Sequence, residues 1–383
     1  MHCGIKKQGL FDLALIVSEE PGPIAGLFTK NQVVAAPVVL DRQHLRRGMG
    51  RAILVNSGNA NACTGRPGLA AARRTAGVLA DSLRIPIHEV FLGSTGVIGR
   101  RLPVERIMRG IPQLLQQLSR RQGLAAARAI MTTDLHPKTV VKQERMNGNV
   151  ITIGGMAKGS GMIHPNMATM LGYLTTDAAI ARTALQKALT AAVNDSFNCI
   201  SVDGDTSTND TVLCLTNGMA KNRIIREGTT AYGRFLRLLT DACQTLALAV
   251  CRDGEGVTKV VKIEVTGAKS AADARQVAYT ISTSNLVKTA LFGEDANWGR
   301  VMAAIGRAGV PIDPSLLALS FDGVPMVRQG VGLGPLAERR IAKVFRRTEF
   351  TIHVGLGRGR HEAHVWTTDL SCDYVKINAS YRS

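Results

Sequence analysis

GGMAKGSGMIHPNMATMLGYLTTD, residues 154–177, has neither a strand nor a helix period over its first half. Its glycines and the His164-Pro165 pair suit a surface turn, but Met162, Ile163, Met167, Met170 and Leu171 thread apolar side chains through it. Two readings stay open. The stretch is a buried crossover between two halves of a domain, or it is a loop that carries chemistry at Ala168-Thr169.

Working outward, the 383-residue chain is long enough for two or three structural units and a sizeable core. Its apolar content, 45% against 4% aromatic, rests on Ala, Val, Leu, Ile and Gly, the composition of closely packed α/β layers. The net charge of +18, from 47 basic and 29 acidic residues, raises nucleic-acid binding as a non-enzymatic alternative. The basic residues are scattered as pairs such as Arg46-Arg47, Arg100-Arg101 and Arg346-Arg347, with few aromatics to stack on bases. Attraction of small carboxylate substrates and plain solubility are the better uses of such a charge. Seven cysteines without a CxxC pair read as thiols in a reducing compartment. No leader-like segment opens the chain and no apolar run approaches the ~18 residues of a membrane helix, so a cytoplasmic protein is expected.

Twice in the first hundred residues a short strand runs into small polar residues and then a helix. Ala52–Val55 leads through Asn56–Gly65 to a helix over Pro67–Leu83, and Val90–Leu92 leads through Gly93-Ser94-Thr95-Gly96-Val97-Ile98-Gly99 to one over Val104–Ser119. Each polar segment is either a tight turn or a place where backbone N–H groups converge on an anion or a developing oxyanion. Val33–Leu40 and Thr211–Leu215 read as strands, Asn147-Gly148 as a hairpin turn, Ala271–Leu286 as one helix, and the chain beyond Leu317 as strand-rich.

Metal and nucleotide readings fail on spacing. Asp203, Asp205 and Asp210 do not match the EF-hand template, and strand alternation separates His361 from His364. Gly355–Gly359 lacks GxGxxG, and Lys158-Gly159-Ser160 has the P-loop order wrong. Neither a metal site nor a nucleotide fold is supported by these spacings.

Inside a chain, the hydroxyl of Thr169 is a poor nucleophile. As an N-terminal residue it changes character, because an α-amine with a pKa of about 8 can take the proton of its own hydroxyl. Its β-branched side chain holds that hydroxyl in few orientations. Reaching that state requires cleavage after Ala168, begun by attack of Thr169 on the preceding carbonyl. An inert buried Thr is the competing reading.

KGSGMIHPNMATML, together with NSGNANACTG, GSTGVIG, SFNCISVDGDTSTNDT, GEGVTK, Asn297-Trp298-Gly299-Arg300 and DYVKINASYRS, resembles the ornithine acetyltransferases of arginine biosynthesis, also called glutamate N-acetyltransferases. The resemblance runs from Gly4-Ile5-Lys6-Lys7 to Ser383. It implies an α/β, α+β layered fold of the N-terminal-nucleophile-like ArgJ/DmpA type. It also implies self-cleavage into an α chain (1–168) and a β chain (169–383), assembled as two of each. Thr169 would carry the acetyl group from N-acetylornithine to glutamate with no cofactor or metal implied, and acetyl-CoA stays open as a second donor. Thr95 and Gly96 match the family's oxyanion-hole pair, and Thr132, Lys158, Thr169, Glu255, Asn378 and Ser383 match substrate-contacting positions. Ser383 stands where Thr is expected and keeps the hydroxyl. The enzymatic alternative is an aminopeptidase or amidase that uses the same Thr and passes the acyl group to water.

Overall fold

The computed structural model describes residues 1–146, 148–164 and 170–380; Asn147, Ala168, Thr169 and Ser383 lie outside the described residues. In chain order the strands are β1 Leu13–Phe28, β2 Met49–Asn59, β3 Val90–Val97, β4 Lys138–Met146, β5 Asn149–Lys158, β6 Leu171–Thr176, β7 Ile200–Ser201, β8 Thr211–Thr216, β9 Val260–Ala268, β10 Ala318–Phe321, β11 Val324–Arg328, β12 Val331–Gly332, β13 Glu349–Gly355 and β14 His361–Thr368. They form two seven-stranded sheets, ordered β3-β2-β1-β8-β6-β5-β4 and β12-β11-β10-β13-β9-β14-β7. Each sheet belongs to its own compact unit: residues 1–198 with 205–250, and residues 199–204 with 251–380. The expected chain division at 168/169 therefore falls inside the first unit, between two strands that pair with each other.

The strands β1, β2, β3, β6 and β8 of the first sheet are largely buried on both faces, which is why they read as near-continuous apolar runs, while β4 at its edge alternates buried and exposed residues. Leu13, Leu15, Ala52 and Leu54 pack under the helices Ala36–Leu45, Gly65–Leu83 and Val104–Gln116. Their neighbours in the alternation, Ala14, Ile53 and Val55, join Phe91, Leu171, Tyr173 and Leu213 around Ala127, Ala129 and Ile130 of the helix Gly123–Ile130. In the second unit one face of β9, formed by Val261, Ile263 and Val265, is buried among residues of the surrounding helices such as Val277, Ile281 and Ile341. Lys262 and Glu264 alternate with them on the more polar face, where Glu264 also pairs with His353 Nδ1 at 2.8 Å.

Three expectations change. Val33–Leu40 is not a strand; a helix spans Ala36–Leu45, because Pro37 in its first turn has the backbone angle a helix start requires. Ala271–Leu286 is interrupted at Thr283-Ser284, where the Ser284 hydroxyl accepts from Val287 N and starts a second helix, Asn285–Phe292. Beyond Leu317 the chain is strand-rich as expected, with the helices Pro335–Phe345 and Cys372–Ser380 among and after its strands. β14 also shifts register between His361 and Ala363, so plain alternation does not place its two histidines.

Strand order conceals strong curvature. A flat sheet would separate β3 from β6 by four strand spacings, about 19 Å. Yet a Cβ added at Gly93 on β3 would stand 1.9 Å from the Tyr173 hydroxyl on β6. That hydroxyl is buried and has no hydrogen-bond partner among the described residues. Replacing Tyr173 with Phe removes an unsatisfied polar group rather than a bond, so chemical denaturation of Tyr173→Phe should place its stability within about 1 kcal/mol of the parent or above it. A loss of several kcal/mol would show that the hydroxyl is bonded.

Candidate functional site

The curvature of the first sheet brings together residues far apart in sequence. Lys158 closes β5, is buried, and donates from Nζ to Thr132 Oγ1 at 2.8 Å and Thr95 Oγ1 at 3.2 Å. Thr95 lies near the end of β3, and Thr132 follows the helix Gly123–Ile130 by two residues. Its neighbour Asp134 stands 3.8 Å from the Lys158 ammonium. The Asp134 carboxylate also accepts from Lys138 Nζ at 2.7 Å, from the Thr132 N–H at 2.9 Å and from the Gly159 N–H at 2.8 Å. Burial by itself would push this carboxyl up; the ammonium groups of Lys158 and Lys138 reverse that and hold it well below the usual carboxylate range.

Gly96, beside Thr95, has φ +124°, and an added Cβ would meet Gly58 C at 2.5 Å and Asn59 N at 2.7 Å. Glycine at this position is a steric requirement of β3 lying against β2, where Gly58 and Gly96 are register partners. Strand pairing extends farther than the sequence suggests: both small polar segments begin as ladder, through Asn59 in β2 and Val97 in β3. Asn209 then ties the two segments, its side-chain amide donating to Ala60 O at 2.7 Å and to Ser94 O at 2.8 Å.

β5 and β6 pair antiparallel, with Lys158 opposite Leu171. Thr169 lies outside the described residues but precedes Leu171 by two positions in sequence. The register therefore pins the chain on both sides of the 165–169 segment. His164 is partly buried, and this burial pushes its imidazole below its ordinary value, toward the neutral form at pH 7.

In the second unit, two more expected positions meet: Asn378 Nδ2 donates to Glu255 Oε2 at 2.8 Å. The same amide reaches Tyr374 O at 3.0 Å, while Ser371 Oγ donates to Gly256 O at 2.6 Å. Tyr374 OH donates to Asp203 at 3.3 Å, giving that aspartate a structural partner. No group of three or more His, Cys, Asp or Glu among the described residues is arranged to hold a metal ion. Of the expected site residues, Thr95, Thr132 and Lys158 form one cluster and Glu255 and Asn378 another; Ala168, Thr169 and Ser383 lie outside the described residues. Sequence reasoning did not single out Asp134 or Lys138, whose one signal was an Asp and a Lys four apart.

These features define a layered α/β protein with a lysine–threonine site gathered at strand ends. The chain belongs to the ArgJ family, whose profile matches residues 1–383. The arginine biosynthesis bifunctional protein ArgJ of Geobacter sulfurreducens is 48% identical over all of this chain and 98% of its own length. That of Pseudomonas fluorescens is 44% identical over 99% and 94%. A crystal structure of the Bacillus halodurans protein of the same name is 41% identical and covers 56% of this chain and all of its own, with a TM-score of 0.53. The family and layered fold expected from the sequence are thus borne out.

Removing the Asp134 charge leaves two buried ammonium groups facing each other, so Asp134→Asn should cost about 3–5 kcal/mol in chemical denaturation at pH 7. Because the folded carboxyl lies below its unfolded value near 4, its contribution is present above that pH and is lost as pH falls through the folded value. The gap between parent and Asp134→Asn should therefore narrow toward acid. A gap independent of pH would contradict the charge argument.

Proposed function

We propose that this chain is a self-cleaving acetyltransferase of arginine biosynthesis that moves the acetyl group of N2-acetylornithine to glutamate through an acetyl-Thr169 ester. Family membership over the whole chain and the shared name of its relatives support the reaction class. The observation that carries the assignment of the site is the Lys158 ammonium joined to the Thr95 and Thr132 hydroxyls, at the strand end paired with Leu171.

In this reading the Thr169 hydroxyl first attacks the Ala168 carbonyl, shifting the acyl group from nitrogen to oxygen. Water then hydrolyses the ester, leaving a carboxylate on residue 168 and a free α-amine on Thr169. In turnover that amine takes the hydroxyl proton as Oγ adds to the acetyl carbonyl, and Thr95 and Gly96 face the oxyanion. Collapse breaks the C–N bond, and the proton leaves with the ornithine amine. The glutamate amine attacks the acetyl ester and restores the Thr169 hydroxyl. One amide is exchanged for another, so the balance requires no external reductant, oxidant or cofactor.

Lys158 suits a substrate carboxylate. Thr132, Glu255, Asn378 and Ser383 keep the substrate roles that the family resemblance implies. Cleavage gives an α chain of residues 1–168 and a β chain of residues 169–383, which we place in an assembly of two of each in the cytoplasm. No described helix is long and apolar enough to cross a membrane. The relatives are named bifunctional, and the second activity proposed here is acetylation of glutamate from acetyl-CoA. Formation of N-acetylglutamate from those two compounds would demonstrate it, and none with active enzyme would remove it.

Intact-mass measurement should find two fragments, the second beginning Thr-Met-Leu-Gly. Thr169→Ala should give a single uncut chain without transfer, while Thr95→Ala slows both steps. A Thr169→Ala protein that still divides would overturn the assignment. Acetyl release to water exceeding transfer to glutamate would favour the hydrolase.

A further inference from the structure

The N-terminal segment is bound far more tightly than a chain end requires. Asp12 is buried, and its carboxylate accepts from the backbone N–H groups of Cys3 (2.6 Å), Gly4 (3.1 Å), Ile5 (2.7 Å) and Lys6 (3.0 Å). Arg106 donates to Gly4 O. The segment lies on the site's own scaffold: a Cβ at Gly58, the register partner of Gly96, would meet Ile5 Cγ2 and Lys6 Cγ at 3.0 Å. From there the Lys6 ammonium donates to Phe11 O at 3.0 Å and to Met131 O at 2.5 Å. Met131 caps the C-terminal end of the helix Gly123–Ile130, where a cation meets carbonyls that the helix cannot satisfy.

Met131 O and the Thr132 N–H belong to one peptide group. Lys6 holds its oxygen and Asp134 holds its N–H, at 2.9 Å. That plane fixes the direction in which Thr132 presents its hydroxyl to Lys158. We infer that Lys6 is a positioning residue for the acetyl-transfer site, clamping the Met131–Thr132 peptide so that Thr132 and Lys158 are held in their substrate-binding arrangement. The inference rests on the proposed function and adds to it a residue 126 positions away in sequence from the Thr it orients.

The ammonium works in a poorly solvated place. Burial and, to a lesser degree, the charge of Lys158 outweigh the opposing carboxylates of Asp12 and Asp134 and lower its pKa to about 8. As pH rises through about 8 the clamp loses its charge, and transfer should weaken with it.

The test is steady-state transfer from N-acetylornithine to glutamate as a function of pH, with the parent, Lys6→Met and Lys6→Arg. Lys6→Met should raise the KM for N-acetylornithine about tenfold or more, as expected for one lost charge-assisted bond, with a smaller change in kcat. Its profile should lack the alkaline decline near pH 8. Lys6→Arg, which keeps its charge, should move that decline to higher pH. Unchanged KM and alkaline limb in both variants, alongside an active parent, would overturn the clamp; so would a lower Tm with unaltered kinetics. If Lys6→Met does not fold, the alkaline limb of Lys6→Arg decides. A parent that cleaves but performs no transfer would overturn the functional reading, and the clamp's catalytic role with it.

Discussion

The ammonium of Lys158 bridges a distance that its sheet, if flat, would not allow it to cross. Five strand spacings separate β3 from β5, about 24 Å in a flat sheet, yet its nitrogen bonds a threonine on β3 at 3.2 Å. The first sheet therefore curls, and the curl has to be filled. The Ala-rich helix Gly123–Ile130 fills it, with small side chains that let strands approach from several directions. Gly93 serves the same closure, since any side chain there would strike Tyr173 of β6.

Burying that lysine is costly unless its charge is answered. Asp134 answers it and shares its remaining oxygen capacity among Lys138 and two backbone N–H groups. Two cations and one anion leave a net positive centre, sheltered from solvent and bordered by threonine hydroxyls. Such a centre favours a carboxylate over a neutral or cationic group, in keeping with amino-acid substrates. The overall charge of +18 acts in the same direction at longer range.

Much of this was legible in the sequence, and unevenly. The strands at Ala52–Val55, Val90–Leu92 and Thr211–Leu215 declared themselves as apolar β-branched runs, and Thr95, Gly96, Lys158 and Glu255 came from motifs long enough to identify the family. Val33–Leu40 misled because its apolar residues suit either period; Pro37 in the first turn starts a helix, whose buried residues run on through Asp41 and His44. Asp134 was hidden for a different reason. Its importance comes from Lys158 and Gly159 arriving from another strand, which no local pattern in DLHPK records. The Lys6 clamp is likewise a property of the curled sheet.

The pairing of β5 with β6 has a bearing on the protein's history. Six register pairs, from Ile153 with Thr176 to Lys158 with Leu171, join strands on either side of position 168, and β8 continues the sheet beyond them. A cut at 168/169 would sever the covalent connection and leave this ladder to hold the two pieces together. Before the cut, folding is a search within one chain; afterwards, recovery from unfolding requires two molecules to meet, and its success depends on concentration. The native state would then be reached from a precursor and not regained from dilute fragments. Its persistence would be governed by how slowly the ladder opens rather than by equilibrium with an unfolded chain.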